Sequence, residues 1–305
     1  MVNDETRNKS TYYIIKRYGS FEPSKVTVIS IYFHLNRSKH HNGFYKPWLK
    51  NFFQSVTSPL VIFTDKNYIE DLLILRNKFH LPTTLYITRS IWSVMKENEM
   101  KRNRTYTFNY QNKLQSLDRE KHIHNPNLYA IWNLKTFISD KLAEDNFYKS
   151  SAFIFTDSGA WREGIFENWP DQNFIMNLTN ILDDKILLGQ IDNETIMLKQ
   201  ANFPDVDLIQ GGFFLGSQKA MHNFHEDFWK IHDLNFDRGL FCGKEQVTMN
   251  FYAYNMSNNV KLDIIRRNCT KNINRNFFYQ NYFASEKYYP CYGKRESLLS
   301  IKREK

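Results

Sequence analysis

The chain alternates between short runs of apolar residues and longer stretches in which apolar positions recur at helical spacing. VTVISIYF (Val26 to Phe33), PLVIFTD (Pro59 to Asp65), TTLYIT (Thr83 to Thr88) and FIFT (Phe153 to Thr156) are short and bounded by turn residues, which marks strands buried on both faces. Between them, YKPWLKNFFQSV sets Tyr45, Trp48, Leu49, Phe52, Phe53 and Val56 along one helical face, with Pro47 near the helix start. A helix is expected over Tyr68 to Phe79, and HNPNLYAIWNLKTFISDKLAE reads as another just before FIFT. Strands alternating with helices predict right-handed βαβ units and a mainly parallel sheet.

Beyond about residue 157 the pattern is more mixed. A helix is expected over Pro170 to Leu182, a strand over Lys185 to Ile191, and a Gly-punctuated strand at QGGFFLGS (Gln210 to Ser217). Two helices, KAMHNFHEDFWKIHDLN and KEQVTMNFYAYNM, and a strand at KLDII follow. Residues 1–24 read as a polar lead-in, 25–290 as one domain and 291–305 as a basic tail. Residues 101–121 (KRNRTYTFNYQNKLQSLDREK) are polar and weakly periodic, as expected of a solvated excursion or a flap over an active site.

Composition narrows the partners. With 42% hydrophobic and 16% aromatic residues in 305, the chain is globular and can bury a substantial core. Lys and Arg number 41 against 32 Asp and Glu, and the net +9 favours anionic partners in general. The basic residues are scattered, apart from Arg266-Arg267, Lys294-Arg295 and the final IKREK, so no nucleic-acid stripe is expected. Cys242, Cys269 and Cys291 lack metal-type spacing; free buried thiols are expected, with a Cys269–Cys291 disulfide as the alternative. No apolar run is long enough to predict a membrane span, and MVNDETRNKS is not a secretory signal, so a cytoplasmic or membrane-surface location is expected. The sequons at Asn36, Asn103 and Asn177 reflect the abundance of Asn.

Asp65 and Asp157 both follow an apolar run ending in Thr. If both strands lie in one sheet, the two carboxylates open onto one crevice, outside the carboxyl ends where open α/β sheets bind ligands. The alternative is a pair of ordinary Asx-turns. There is no GxGxxG or GxxxxGK[ST] loop, so a nucleotide would be held by side chains and metal, and no GxSxG elbow for a serine nucleophile. Gly211 and Gly212 inside a strand mark close approach of a ligand or backbone, or else a bulge. Glu245 opens an apolar helix, where it either complements the macrodipole or serves as a general base or hydroxyl acceptor.

The Leu-Tyr-x-x-Trp-Asn-x-Lys helix (HNPNLYAIWNLKTFI), followed by a strand and Asp-x-Gly-x-(aromatic)-Arg (FIFTDSGAWRE), resembles the HtrL/YibB-like proteins. So does VTVISIYFHLNRSKH…YKPWLKNFF…PLVIFTD, and the resemblance covers roughly residues 25 to 255. The family's layout is similar to GT-A type glycosyltransferases. The resemblance implies an α/β, GT-A-like (Rossmann-type) fold with a mainly parallel central sheet flanked by helices. It implies transfer of a sugar from a nucleotide-sugar, a UDP-sugar foremost, to a glycan or protein acceptor. Residues 25–160 would be the nucleotide-binding half and 161–290 the sugar and acceptor half. Asp65 would lie near the nucleoside, and Asp157 would hold Mn²⁺ or Mg²⁺ with the diphosphate. Lys135 and Arg162 would neutralise the leaving nucleotide, and Gly211, Gly212 and Glu245 would line the sugar side, Glu245 and Arg162 acting in catalysis. One departure stands out: Gly159 takes the place of the usual second acidic residue, and no His follows His232 to act as a late metal ligand. A single carboxylate with waters can still hold a divalent ion. A non-catalytic carbohydrate- or nucleotide-binding module on the same fold is the alternative.

Overall fold

Apolar runs pair edge to edge in a computed structural model that describes residues 5–6, 13–35, 42–65, 73–74, 76, 80–191, 207–255, 262–266 and 276–285. Nine strands form one sheet: β1 (Glu5–Thr6), β2 (Tyr13–Tyr18), β3 (Val26–Tyr32), β4 (Leu60–Thr64), β5 (Thr83–Thr88), β6 (Ala152–Thr156), β7 (Ile186–Gln190), β8 (Ile209–Gly216) and β9 (Leu262–Arg266). Their order is β1-β2-β5-β4-β3-β6-β8-β7-β9. The central β5-β4-β3-β6 block is parallel throughout, while β2 and β8 run against their neighbours. The fold is therefore α/β with a mainly parallel central sheet.

The continuous apolar runs follow from burial on both faces. Along β6, Phe153 and Phe155 point into one core while Ala152 and Ile154 point into the other. The first core is covered by α2 (Ile91–Arg102), α3 (Pro126–Asp145), α5 (Gln218–Asp237) and α6 (Glu245–Asn255). The second is covered by α1 (Asn42–Ser55), α4 (Gln172–Leu182) and α7 (Phe278–Tyr282). The longest helices start on local signals. Asn125 caps α3 by accepting from the Leu128 N–H ahead of Pro126, and Ser217 caps α5 by accepting from the Ala220 N–H.

Three expectations change. The lead-in contains β2, paired antiparallel with β5 along its whole length, with Tyr13 buried and its hydroxyl on Glu97. YIIKRY carries Lys and Arg because every residue of β2 but Tyr13 is only partly buried, unlike those of the central strands. Helix α2 was hidden because its buried apolar residues, Ile91, Val94 and Met95, fall in its first turns and mostly charged residues follow. Residues 101–121 are not an irregular excursion, although many of their side chains are exposed. Residues 107–117 form a helical stretch with a π-type turn at Tyr110–Leu114. Tyr106, Tyr110 and Leu114 are buried; the Tyr110 hydroxyl meets His232 Nε2 on α5 at 2.7 Å and the Tyr106 hydroxyl donates to Asp233 on α5 at 2.9 Å. Most of the helix expected over Tyr68 to Phe79, together with Cys269, Cys291 and the tail 291–305, lies outside the described residues. Cys242 is a buried free thiol, and burial raises its pKa. Among the described residues no helix is long and apolar enough to cross a membrane.

Candidate functional site

From β3 the chain steps to β4 and β5 on one side, and β6 then enters on the other, so the sheet reverses its winding between β3 and β6. Such a switch point is where open α/β sheets leave a crevice beyond the carboxyl ends. Local chemistry holds it open. Backbone pairing of β3 with β6 stops at Ile29 and Phe155. Past that point side-chain hydroxyls span the gap: Ser30 donates to the Thr156 carbonyl at 2.7 Å and Ser158 to the Ile31 carbonyl at 3.2 Å. The resulting cleft is lined by Ile31 to Leu35 at the end of β3, by Asp157 to Ala160 after β6, and by Tyr45, Arg162 and Phe277. Helix α3 supplies Leu128, Ile131, Trp132 and Lys135, an i, i+3, i+4, i+7 stripe on one face. Its volume of about 220 Å³ suits one ring system and is below the roughly 300–1,000 Å³ usual for whole ligands.

At its floor is a buried ion cluster. The Lys135 ammonium donates to Asp157 Oδ2 at 3.0 Å, Glu245 Oε1 at 2.6 Å and the Gly211 carbonyl at 3.1 Å. These acceptors use all three of its N–H donors. Burial alone would lower its pKa, but the Asp157 and Glu245 carboxylates outweigh that and raise it above the ordinary lysine value, so it stays charged. Lys135 and Glu245 are buried, whereas the Asp157 side chain is 37% exposed into the cleft. Glu245 Oε2 is buried without a hydrogen-bond partner.

The paired glycines make room for this cluster. A Cβ on Gly211 would sit 2.6 Å from Glu245 Cδ, and one on Gly212 3.0 Å from Asp157 Oδ2. Asn133 fixes the approach of α6 by donating to the carbonyls of Cys242 and Gly243, at 3.1 and 2.9 Å, just ahead of Glu245. The Asp157 N–H donates to the Gly212 carbonyl at 3.0 Å, tying the carboxylate's backbone to β8.

The walls are aromatic. Asp118 accepts from the Tyr129 hydroxyl at 2.5 Å and holds His124 Nδ1 at 3.0 Å; the His124 ring then packs edge-on to Trp132 at 4.9 Å. Opposite, the Arg162 guanidinium lies 4.3 Å from the Trp48 ring and 4.9 Å from the Phe277 ring, and Nε donates to the Gly159 carbonyl at 3.3 Å.

Of the expected residues, Lys135, Asp157 and Arg162 line the cleft. Glu245, Gly211 and Gly212 lie behind Lys135, in the layer that supports it. Asp65 ends β4 on the same sheet edge, where its carboxylate accepts the His34 N–H at 3.0 Å and shapes the loop that lines the cleft. Trp132, Tyr45, Asn133 and Phe277 carried no expectation as site residues. Trp132 and Asn133 stand inside the Leu-Tyr-x-x-Trp-Asn-x-Lys pattern, whereas nothing local distinguishes Tyr45 or Phe277 from core aromatics.

The donor set does not suit a divalent cation. Asp157 already shares Oδ2 with an ammonium, and no group of three or more His, Cys, Asp or Glu able to hold a metal occurs among the described residues.

No family model matches the sequence, and no curated protein matches it. Among solved structures, the chain is similar in shape to mouse xyloside xylosyltransferase 1 in its apo form. The TM-score is 0.46 and the identity 10%, over 79% of this chain and 84% of that one.

Proposed function

We propose that the cleft binds a nucleotide-sugar, a UDP-sugar foremost, and that the protein transfers the sugar to a glycan or protein acceptor, as a GT-A-like enzyme of the HtrL/YibB-like kind. The observation that carries this reading is the partly exposed Asp157 carboxylate at the β3/β6 switch point, set on a buried lysine. Aromatic walls suit a planar base or the apolar face of a sugar, and a carboxylate at their foot suits hydroxyl donors. Arg162 stands at the mouth with its guanidinium near two rings, which suits charge building on a leaving diphosphate. Lys135 has no free donor for phosphate, so its part is to hold Asp157 in place. Glu245 supports Lys135 from behind.

The test is a thermal-shift screen of nucleotide-sugars followed by a transfer and hydrolysis assay. A binding donor raises the melting temperature of the wild-type protein. Asp157→Asn keeps volume and removes charge; it should fold, lose that shift, and reduce turnover by roughly a hundredfold or more. Wild-type turnover in Asp157→Asn, or no shift with any donor, overturns the proposal. The burial of Glu245 behind Lys135 favours a second reading, a binding module without catalysis. Donor binding with no transfer or hydrolysis in any acceptor screen would select it.

A further inference from the structure

We infer that this site works without a divalent cation, because the Lys135 ammonium stands between the two carboxylates that would otherwise hold one. Asp157 Oδ2 and Glu245 Oε1 approach the same nitrogen at 3.0 and 2.6 Å, and the Gly211 carbonyl completes its shell at 3.1 Å. These are ammonium hydrogen bonds; a bound Mg²⁺ requires oxygens at about 2.0–2.1 Å. A dication beside Asp157 would meet a buried positive charge across a short, poorly screened distance.

The position of the missing acid is also tight. A Cβ on Gly159 would already stand 3.3 Å from the Tyr45 ring, so a side chain there requires Tyr45 to shift by a few tenths of an ångström. The surroundings are built for the ammonium instead: Gly211 admits Glu245, and Asn133 sets the start of α6. Two carboxylates and one ammonium leave a single negative charge, which is balanced at the mouth by Arg162. Removing the ammonium would leave Asp157 and Glu245 facing each other as an unpaired acidic pair, a cation site that the wild-type chain keeps closed.

The inference is tested on the full chain with Mn²⁺ alone, followed by electron paramagnetic resonance and calorimetry, in wild type, Lys135→Met and Lys135→Arg. The wild type should show no saturable site. Lys135→Met should bind one Mn²⁺ at least about tenfold more tightly than wild type, and Lys135→Arg, which keeps the charge, should not. A saturable wild-type site lost in Asp157→Asn overturns the inference, as does a folded Lys135→Met with no gain. Should Lys135→Met not fold, the wild-type titration decides alone. A second arm rests on the nucleotide-sugar reading: the donor-induced thermal shift should be equal in EDTA and in Mn²⁺. A shift that appears only with Mn²⁺ overturns the inference while leaving the donor reading standing. No shift in either condition overturns the donor reading, and the Mn²⁺-only titration still decides the metal question.

Discussion

Gly211 has no room for a methyl group. An alanine Cβ there would sit 2.6 Å from Glu245 Cδ and 2.9 Å from Gln246 Cγ, both on a helix clamped by Asn133. Since that helix start cannot yield freely, Gly211→Ala should destabilise the protein by about 1–3 kcal/mol, the usual penalty of overpacking. Gly212→Ala should be milder, because its Cβ meets Asp157 Oδ2 at 3.0 Å and that side chain is partly exposed. Urea denaturation of the two variants checks the order; equal, sub-half-kcal effects would show that the cluster is loosely packed. The same contacts explain why a pair of glycines sits inside a buried strand. They admit side chains from α6 and from the end of β6.

Among the elements, α3 organises the site. One face supplies the cleft wall and the ammonium, while Tyr129 and Asn133 tie the helix to Asp118 and to the turn before α6. The neighbouring helical stretch 107–117 has a purely structural anchorage. Tyr110 and the preceding Tyr106 reach His232 and Asp233 on α5, and Glu99 accepts the N–H groups of Tyr106 and Thr107. None of its residues lines the cleft. Its buried amides, such as that of Tyr110 bonded to the Tyr106 carbonyl at 2.8 Å, should exchange slowly and at the same rate with and without a nucleotide-sugar. Ligand-dependent protection across this stretch would restore the flap reading.

Across the whole molecule, acid should weaken the fold. His225 on α5 is buried, with Nδ1 lacking a partner, beside Phe137 and near Arg102, Lys101 and His222, with Glu226 at 3.8 Å. Burial, aided by those positive neighbours, lowers its pKa from 6.5 to about 3. Below 6.5 the unfolded chain takes up a proton that the folded chain refuses, so stability falls as pH drops from 6.5 toward 3. By pH about 4.5 this one group should remove on the order of 2 kcal/mol. His225→Gln, neutral throughout, should show a correspondingly shallower loss of urea midpoint between pH 7 and about 4.5. Parallel curves for variant and wild type would assign the acid sensitivity elsewhere.

Much of this was legible in the chain because it depends on local rules. A strand buried on both faces must be apolar at every position, which is why β3, β4, β5 and β6 could be placed within a residue or two. The α3 cap, Asn125 followed by Pro126, and the apolar stripe behind it are likewise sequence-near. The Thr-Asp endings of β4 and β6 pointed to one sheet edge, which both strands share by pairing parallel with β3, but of the two carboxylates it is Asp157 that lines the cleft. Tertiary structure decided the rest. Whether β2 joins the sheet depends on a partner, β5, some 70 residues away in the chain. That Lys135, 22 residues before Asp157 and 110 before Glu245, takes all its hydrogen bonds inside the protein depends on four separate segments meeting at one point. No window of sequence contains that meeting. Charge at Asp157 and Lys135 was readable from residue type; which charge faces the cleft, and which is sealed behind it, is a property of packing alone.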